Sequence, residues 1–191
     1  MTHERLELLF IRLQSSLDYK FNTALNTFDN NWKHNGEDVA RLYDREARAC
    51  LFEARCQTVS NHPDATKYKF GDTLQTGSFG IRCFVAPRAF HGQPHGIIDA
   101  FDLEGQPIDD YSMQNDPDFP GYQNGRWLVH DRYSFKTGKD THYAWSGGCI
   151  IFSSADLGFL NAKLRELGVK KDDVIPARLI ESKSIPSVEA A

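Results

Sequence analysis

The chain has 191 residues, a formal net charge of −4 and 40% hydrophobic residues, the composition of a soluble globular protein. That length is enough to bury a substantial core. It lacks the basic excess that would point to nucleic acid or an anionic membrane as a partner. It also lacks an apolar run of about 18 residues, so the sequence predicts no membrane span.

The cysteine spacing and the N-terminal residues bear on the redox state of the thiols and on the compartment of the protein. No two cysteines form a CxxC pair, so zinc-ribbon spacing is absent and reduced thiols are the simplest interpretation. Glu4 and Glu7 precede an apolar stretch, Leu8 to Ile11, that is too short for a secretory signal. The localisation stays open: the cytoplasm for the chain as it stands, or the periplasm and cell envelope if a leader has been removed.

The first sixty residues predict a helical region. Apolar residues recur at steps of three and four over residues 4–30, which is typical of an amphipathic helix. A second helix is predicted over residues 37–58, after a break near Gly36. We expect a helical hairpin within residues 1–62 that packs on the main domain, and a homodimer formed through these helices is the alternative.

Residues 63–191 predict a β-rich domain. Short apolar runs separated by Gly, Pro, Asn and Asp indicate strands. These runs lie at 81–85, 95–110, 126–135, 149–152 and 172–181. One late helix is predicted over residues 153–169, with Ser153 or Ser154 as N-cap and Gly168 as C-cap. The predicted class is therefore α+β, a mixed sheet or sandwich with one late helix, preceded by the helical hairpin.

The segment "WSGGCIIF" (145–152) carries the first candidate for chemistry. A cysteine acts as a nucleophile through its thiolate and usually needs a histidine as base. His130 ends an apolar strand and is the first candidate base for Cys149, while His142 is the alternative. We expect the N–H groups of Gly147, Gly148 and Cys149 to be able to donate to an oxyanion. A buried, purely structural thiol at Cys149 is the competing interpretation.

This pattern resembles the L,D-transpeptidase catalytic domain family, cysteine enzymes that remodel peptidoglycan cross-links. The family signature is a histidine, an intervening stretch, then Ser/Thr-His-Gly-Cys and an apolar residue. Here His130 is followed by residues 131–145 and then Ser146-Gly147-Gly148-Cys149-Ile150. "QTGSFGIR" (75–82) is similar to the family's TPxGxF stretch, and the resemblance extends over residues 66–180.

The resemblance implies a role for each matched residue. Cys149 would be the acyl-accepting nucleophile and His130 the general base, while Ser146 and Gly148 would shape the turn. Three positions depart from the family pattern: Gly147 replaces a histidine, Ile151 an arginine and Asp131 a glycine. These departures indicate a divergent branch or an altered substrate preference.

The activity implied is acyl transfer on peptidoglycan stem peptides or muropeptides through a thioester intermediate, without a cofactor. An amine acceptor gives transpeptidation, and water gives carboxypeptidase or endopeptidase activity. The second hypothesis is a catalytically silent module of the same fold that binds cell-wall peptide or a partner protein.

Several further residues are candidates for the substrate cleft. Arg132 is suited to a substrate carboxylate. The aromatic and basic residues predicted to line the pocket are Tyr133, His142, Tyr143, Trp145 and Arg88. His91 and His95 either line the cleft or bind zinc together with Asp99 or Asp102, which gives a third hypothesis, a metal-dependent peptidase. No His-Glu-x-x-His motif supports that third hypothesis.

Overall fold

The computed structural model describes the chain in nine stretches: residues 2–18, 21–22, 27–28, 37–59, 76–85, 97–101, 127–134, 139–140 and 149–188. The strands are β1 Leu6–Leu13, β2 Phe21–Asn22, β3 Thr27–Phe28, β4 Asp38–Asp44, β5 Ala49–Gln57, β6 Gly77–Val85, β7 Ile97–Phe101, β8 Trp127–Asp131, β9 Tyr133–Ser134, β10 Lys139–Asp140, β11 Ile150–Phe152 and β12 Val174–Ser182. A 3-10 helix, Gln14–Asp18, follows β1, and the α-helix α1 is Ser154–Glu166.

Eight of these strands close into a barrel in the order β1-β12-β6-β7-β8-β11-β5-β4. The pairs β1–β12 and β8–β11 are parallel, and the other six pairs are antiparallel. The described part of the chain is therefore β-rich, with mixed strands and one α-helix, as the α+β prediction expected at this coarse level. Closure satisfies the hydrogen-bonding groups that an open sheet leaves at its edges.

The predicted N-terminal helical hairpin is wrong. Residues 6–13 form β1, and most of residues 37–58 form the antiparallel pair β4 and β5. Both faces of β1 are covered, because Leu8 faces the barrel core while Leu9 and Ile11 pack in an outer cluster with Ile180. A strand buried on both faces loses its alternating pattern. The apolar residues of β1 therefore include some at intervals of three and four, a spacing that is also found in helices.

The link between β4 and β5 is a tight turn. The Asp44 carboxylate accepts hydrogen bonds from the backbone N–H groups of Glu46 (3.0 Å) and Ala47 (2.9 Å). Arg48 closes the turn in the left-handed region, at φ 51°. This hairpin belongs to the same barrel as β6, β7, β8, β11 and β12, so the barrel crosses the boundary predicted at residue 62. Without the helices, the predicted helix-mediated dimer also loses its structural basis.

The helix α1 covers one end of the barrel. It begins at the N-cap Ser153, whose hydroxyl accepts a hydrogen bond from the Asp156 N–H at 3.0 Å, as the sequence predicted. Its apolar stripe, Leu157, Leu160 and Leu164, is fully buried in the core cluster. Because α1 joins the end of β11 to the start of β12, it closes the end of the barrel where those two strand termini lie.

The opposite end of the barrel, which we call the Cys149 end, carries the start of β11. The register of the pairs also puts there the first residues of β4, β6 and β8 and the last residues of β1, β5, β7 and β12. The described strand termini at this end are Leu13, Asp38, Gln57, Gly77, Phe101, Trp127, Ile150 and Ser182. The candidate nucleophile therefore lies where several chain connections begin and end.

Candidate active site

Strands β8 and β11 bring the predicted histidine and cysteine to one face of the sheet. They pair in parallel, with His130 opposite Ile151. Cys149 precedes Ile151 by two residues and therefore projects to the same side as His130. Val129 and Ile150 face the core, so this side is the outer face of the barrel. The sequence led us to expect that the near ends of the two strands would meet, whereas the observed approach is diagonal between parallel strands.

The side chains of His130 and Cys149 form a hydrogen bond. His130 is half-buried, and burial by itself lowers the pKa of its imidazolium. The hydrogen bond and the charge of Cys149 act in the opposite sense, and the net pKa of His130 is raised above 6.5. The pair therefore places a histidine base against the thiol, and a cysteine needs such a base to form the nucleophilic thiolate.

A main-chain group fixes the tautomer of His130. Its Nδ1 lies 2.6 Å from the carbonyl oxygen of Asp131. A carbonyl only accepts, so Nδ1 carries the proton and donates it, and Nε2 is left as the basic nitrogen. The contact uses the backbone of Asp131, so it does not depend on the side chain at this position.

Sequence reasoning missed this role of Asp131. The Asp131 side chain is on the opposite face of β8 from His130 and is 2% exposed, beside the α1 end of the barrel. Its charge is a further influence that raises the pKa of His130. The carbonyl contact leaves no signal in the sequence, because every residue has a backbone carbonyl.

The structure places Arg132 but not most of the other predicted site residues. Arg132 is half-buried, and its backbone N–H donates to the Phe152 carbonyl at 3.2 Å, which ties the ends of β8 and β11 together. Tyr133 is in β9, opposite Asp140. The candidates that lie outside the described residues are Arg88, His91, His95, Asp102, His142, Tyr143, Trp145, Ser146, Gly147 and Gly148.

The predicted metal site and oxyanion turn stay predictions. Asp99 is in β7 opposite Arg82, while the histidines predicted to accompany it lie outside the described residues. Among the residues that the structure describes, no group of three His, Cys, Asp or Glu side chains is placed to hold a metal ion.

The other three cysteines are in different environments from Cys149. Cys56 is 1% exposed and Cys83 fully buried, and burial raises the pKa of Cys83 to about 12 and that of Cys56 well above its usual value. Burial also raises the pKa of the half-buried Cys50. Cys149 is the thiol that has a histidine as its hydrogen-bond partner among the described residues.

The fold and site define a β-barrel protein with a histidine–cysteine pair on its outer face. The chain is 39% identical over 175 residues to a protein of Treponema pallidum (strain Nichols) described as an uncharacterized protein. The match covers 88% of this chain and 77% of that protein, so the chain belongs to the same protein family. No family model and no solved structure matches the chain. None of the helices described in the structure is long and apolar enough to span a membrane.

Proposed function

We propose that this protein is a cysteine-dependent acyl-transfer enzyme that acts on peptide amides, with Cys149 as nucleophile and His130 as general base. The observation that carries the proposal is the hydrogen bond between the two side chains, together with the Asp131 carbonyl that leaves His130 Nε2 unprotonated. A structural thiol in a sheet needs neither a base nor a fixed tautomer.

The chemistry follows from this geometry. Nε2 of His130 accepts the thiol proton, and the sulfur of Cys149 attacks the amide carbonyl to give a tetrahedral oxyanion. When the C–N bond breaks, the imidazolium gives its proton to the leaving amine and an acyl thioester remains on Cys149. His130 then takes a proton from an incoming amine or water, whose attack releases the acyl group and restores the thiol. The Asp131 carbonyl stabilises the imidazolium at Nδ1 in both half-reactions.

The substrate class rests on the sequence resemblance to L,D-transpeptidases. Of the matched residues, His130 and Cys149 are the two that perform chemistry, and they are hydrogen-bonded. We therefore propose peptidoglycan stem peptides or muropeptides as substrates, cleaved after a diaminopimelate-type residue. An amine acceptor would give transpeptidation, and water would give carboxypeptidase or endopeptidase activity.

The test is turnover of a diaminopimelate-containing stem tetrapeptide, followed by mass spectrometry with and without a second peptide as acceptor. We expect the wild type and the matched control Cys50→Ala to release the terminal residue or form a cross-link, and Cys149→Ala to do neither. Binding without turnover by the wild type would favour the silent binding module instead. Full activity in Cys149→Ala that a chelator abolishes would contradict the proposal in favour of the metal peptidase.

A further inference from the structure

We propose that Arg12, Asp38 and Thr58 form a positioning clamp, which holds the backbone at the end of β5 in place next to Cys149. This inference rests on the proposed function, because it assigns the three residues a role in setting the reactivity of that thiol. None of the three is a catalytic residue, since they act through the backbone next to Cys149.

The end of β5 is the neighbour of Cys149 on the side away from His130. Strand β5 is antiparallel to β11, with Ile151 opposite Gln57 and Phe152 opposite Cys56. Extended by two residues, this register would put Val59 opposite Cys149. The ladder stops at Gln57, so the backbone of residues 58 and 59 is held by contacts other than strand pairing with β11.

Side chains supply those contacts at Thr58. The Asp38 Oδ2 atom accepts hydrogen bonds from the Thr58 N–H (2.9 Å) and from its hydroxyl (2.7 Å). Arg12 donates from Nε to the Thr58 hydroxyl oxygen (3.0 Å) and from Nη2 to the Thr58 carbonyl (2.9 Å). Every polar atom of Thr58 is thus engaged by a charged side chain. The side-chain amide of Gln57 holds the next residue, because its Nε2 donates to the Val59 carbonyl at 3.1 Å.

The clamp is itself anchored to other strands. The second carboxylate oxygen of Asp38 accepts from the Leu13 N–H (2.9 Å) and the Ser16 hydroxyl (2.5 Å). Arg12 also pairs with Glu181 on β12 at 3.3 Å. The end of β5 is therefore fixed relative to β1, β4 and β12 at once.

Burial makes a purely stabilising role a poor explanation for this arrangement. Arg12 is 2% exposed, and Asp38 and Thr58 are fully buried. Buried charges lose their hydration, and well-packed apolar residues of similar volume often give equal or greater stability. What charged groups in a closed network provide is a unique geometry, and here that geometry is at the strand end next to the candidate nucleophile.

The test compares the rate at which iodoacetamide alkylates Cys149 in four proteins, read by peptide mapping across a range of pH. Thr58→Val keeps the shape of the side chain and removes the hydroxyl shared by Asp38 and Arg12, whereas Thr58→Ser keeps the hydroxyl. Asp44→Asn is the control, because it weakens the contact between the buried Asp44 carboxylate and the partly exposed Arg5 at the opposite end of the barrel. The wild type is the reference.

We expect Thr58→Val to slow alkylation of Cys149 about tenfold and to move the pH at which the rate is half-maximal, since small displacements at a reacting atom have large effects on rate. Thr58→Ser should show the same dependence of the Cys149 alkylation rate on pH as the wild type. Asp44→Asn should lower the melting temperature without changing that dependence. If Thr58→Val does not fold, Arg12→Lys gives the same test, because an ammonium cannot make the forked contact with Thr58.

Two results would overturn the clamp alone. A wild-type rate in folded Thr58→Val, or an equal slowing in Asp44→Asn, would show that the network only stabilises the fold. A wild-type Cys149 that reacts no faster than Cys50 would overturn the proposed function as well, so the two failures are distinguishable.

Discussion

The imidazole of His130 and the thiol of Cys149 are hydrogen-bonded across two neighbouring parallel strands, β8 and β11. The parallel register sets this contact, because His130 is opposite Ile151 and Cys149 is two residues before it on the same face. A shift of one residue in either strand would put one of the two side chains inside the barrel. The contact therefore depends on the register of the whole barrel and not on the local turn alone.

The titration of His130 should depend on Cys149. In the wild type, the cysteine raises the pKa of His130 above 6.5 against the effect of burial. In Cys149→Ala the thiol no longer offsets the effect of burial, which lowers the pKa of His130. We therefore expect the pKa of His130 to fall. NMR titration of the histidine side-chain signals measures this directly. The same pKa in both proteins would contradict the hydrogen-bonded pair.

The four cysteines should differ in reactivity. Burial raises the pKa of Cys50, Cys56 and Cys83, so little thiolate is present at these positions at neutral pH. We expect iodoacetamide at pH 7 to modify Cys149 first in the folded protein, as read by peptide mapping. Denaturation should remove the difference, which provides the control. Preferential labelling of Cys50 would count against an activated nucleophile at Cys149.

Asp44 should make stability depend on pH in the acid range. The side-chain hydrogen bond from Arg5 and the N–H groups of Ala47 and Glu46 lower the pKa of Asp44 from 3.8 to about 2. A depressed carboxyl pKa contributes stability that is present above 3.8 and is lost as the pH falls towards about 2. We expect the free energy of unfolding to fall over this window in the wild type. Asp44→Asn should lack this component, and an identical pH profile in chemical denaturation would contradict the assignment.

The apolar face of α1 should be essential to the barrel. Leu160 is fully buried in the core, so Leu160→Ala should lower the free energy of unfolding by about 2–5 kcal/mol. Phe159, the next residue along, is 68% exposed and provides a matched control. Phe159→Ala should have an effect of about 0.5 kcal/mol or less. Equal losses in urea denaturation would mean that α1 does not close the barrel.

The late elements of the fold were predictable because their patterns are local. Ser153 caps a helix whose leucine stripe faces the core, and residues 172–181 overlap β12 closely. The N-terminal strands were not predictable in the same way. The outer face of β1 is covered by Ile180 and Ile185 from the other end of the chain, so its alternation was hidden. On β5, Glu53 and Arg55 do alternate with Ala54 and Cys56, a strand signal that the helical interpretation overlooked.

The candidate site was likewise predictable from the sequence only in part. The pairing of His130 with Cys149 was predictable from residue type and spacing, because cysteine chemistry requires a base. The Asp131 carbonyl and the Arg12–Asp38–Thr58 network were not, since a backbone acceptor leaves no mark on residue identity. The clamp also joins residues 12, 38 and 58, whose proximity follows only from barrel closure.

The most direct test of the central claim is to trap the acyl-enzyme. Incubation with a carbapenem, whose strained amide mimics the scissile bond, should add the mass of one ligand to the wild type, and peptide mapping should locate it at Cys149. We expect no adduct in Cys149→Ala and an adduct that forms at least about a hundredfold more slowly in His130→Gln, the range typical of losing a general base. An adduct at another cysteine, or one that forms at the wild-type rate without His130, would contradict the claim that these two residues are a catalytic pair.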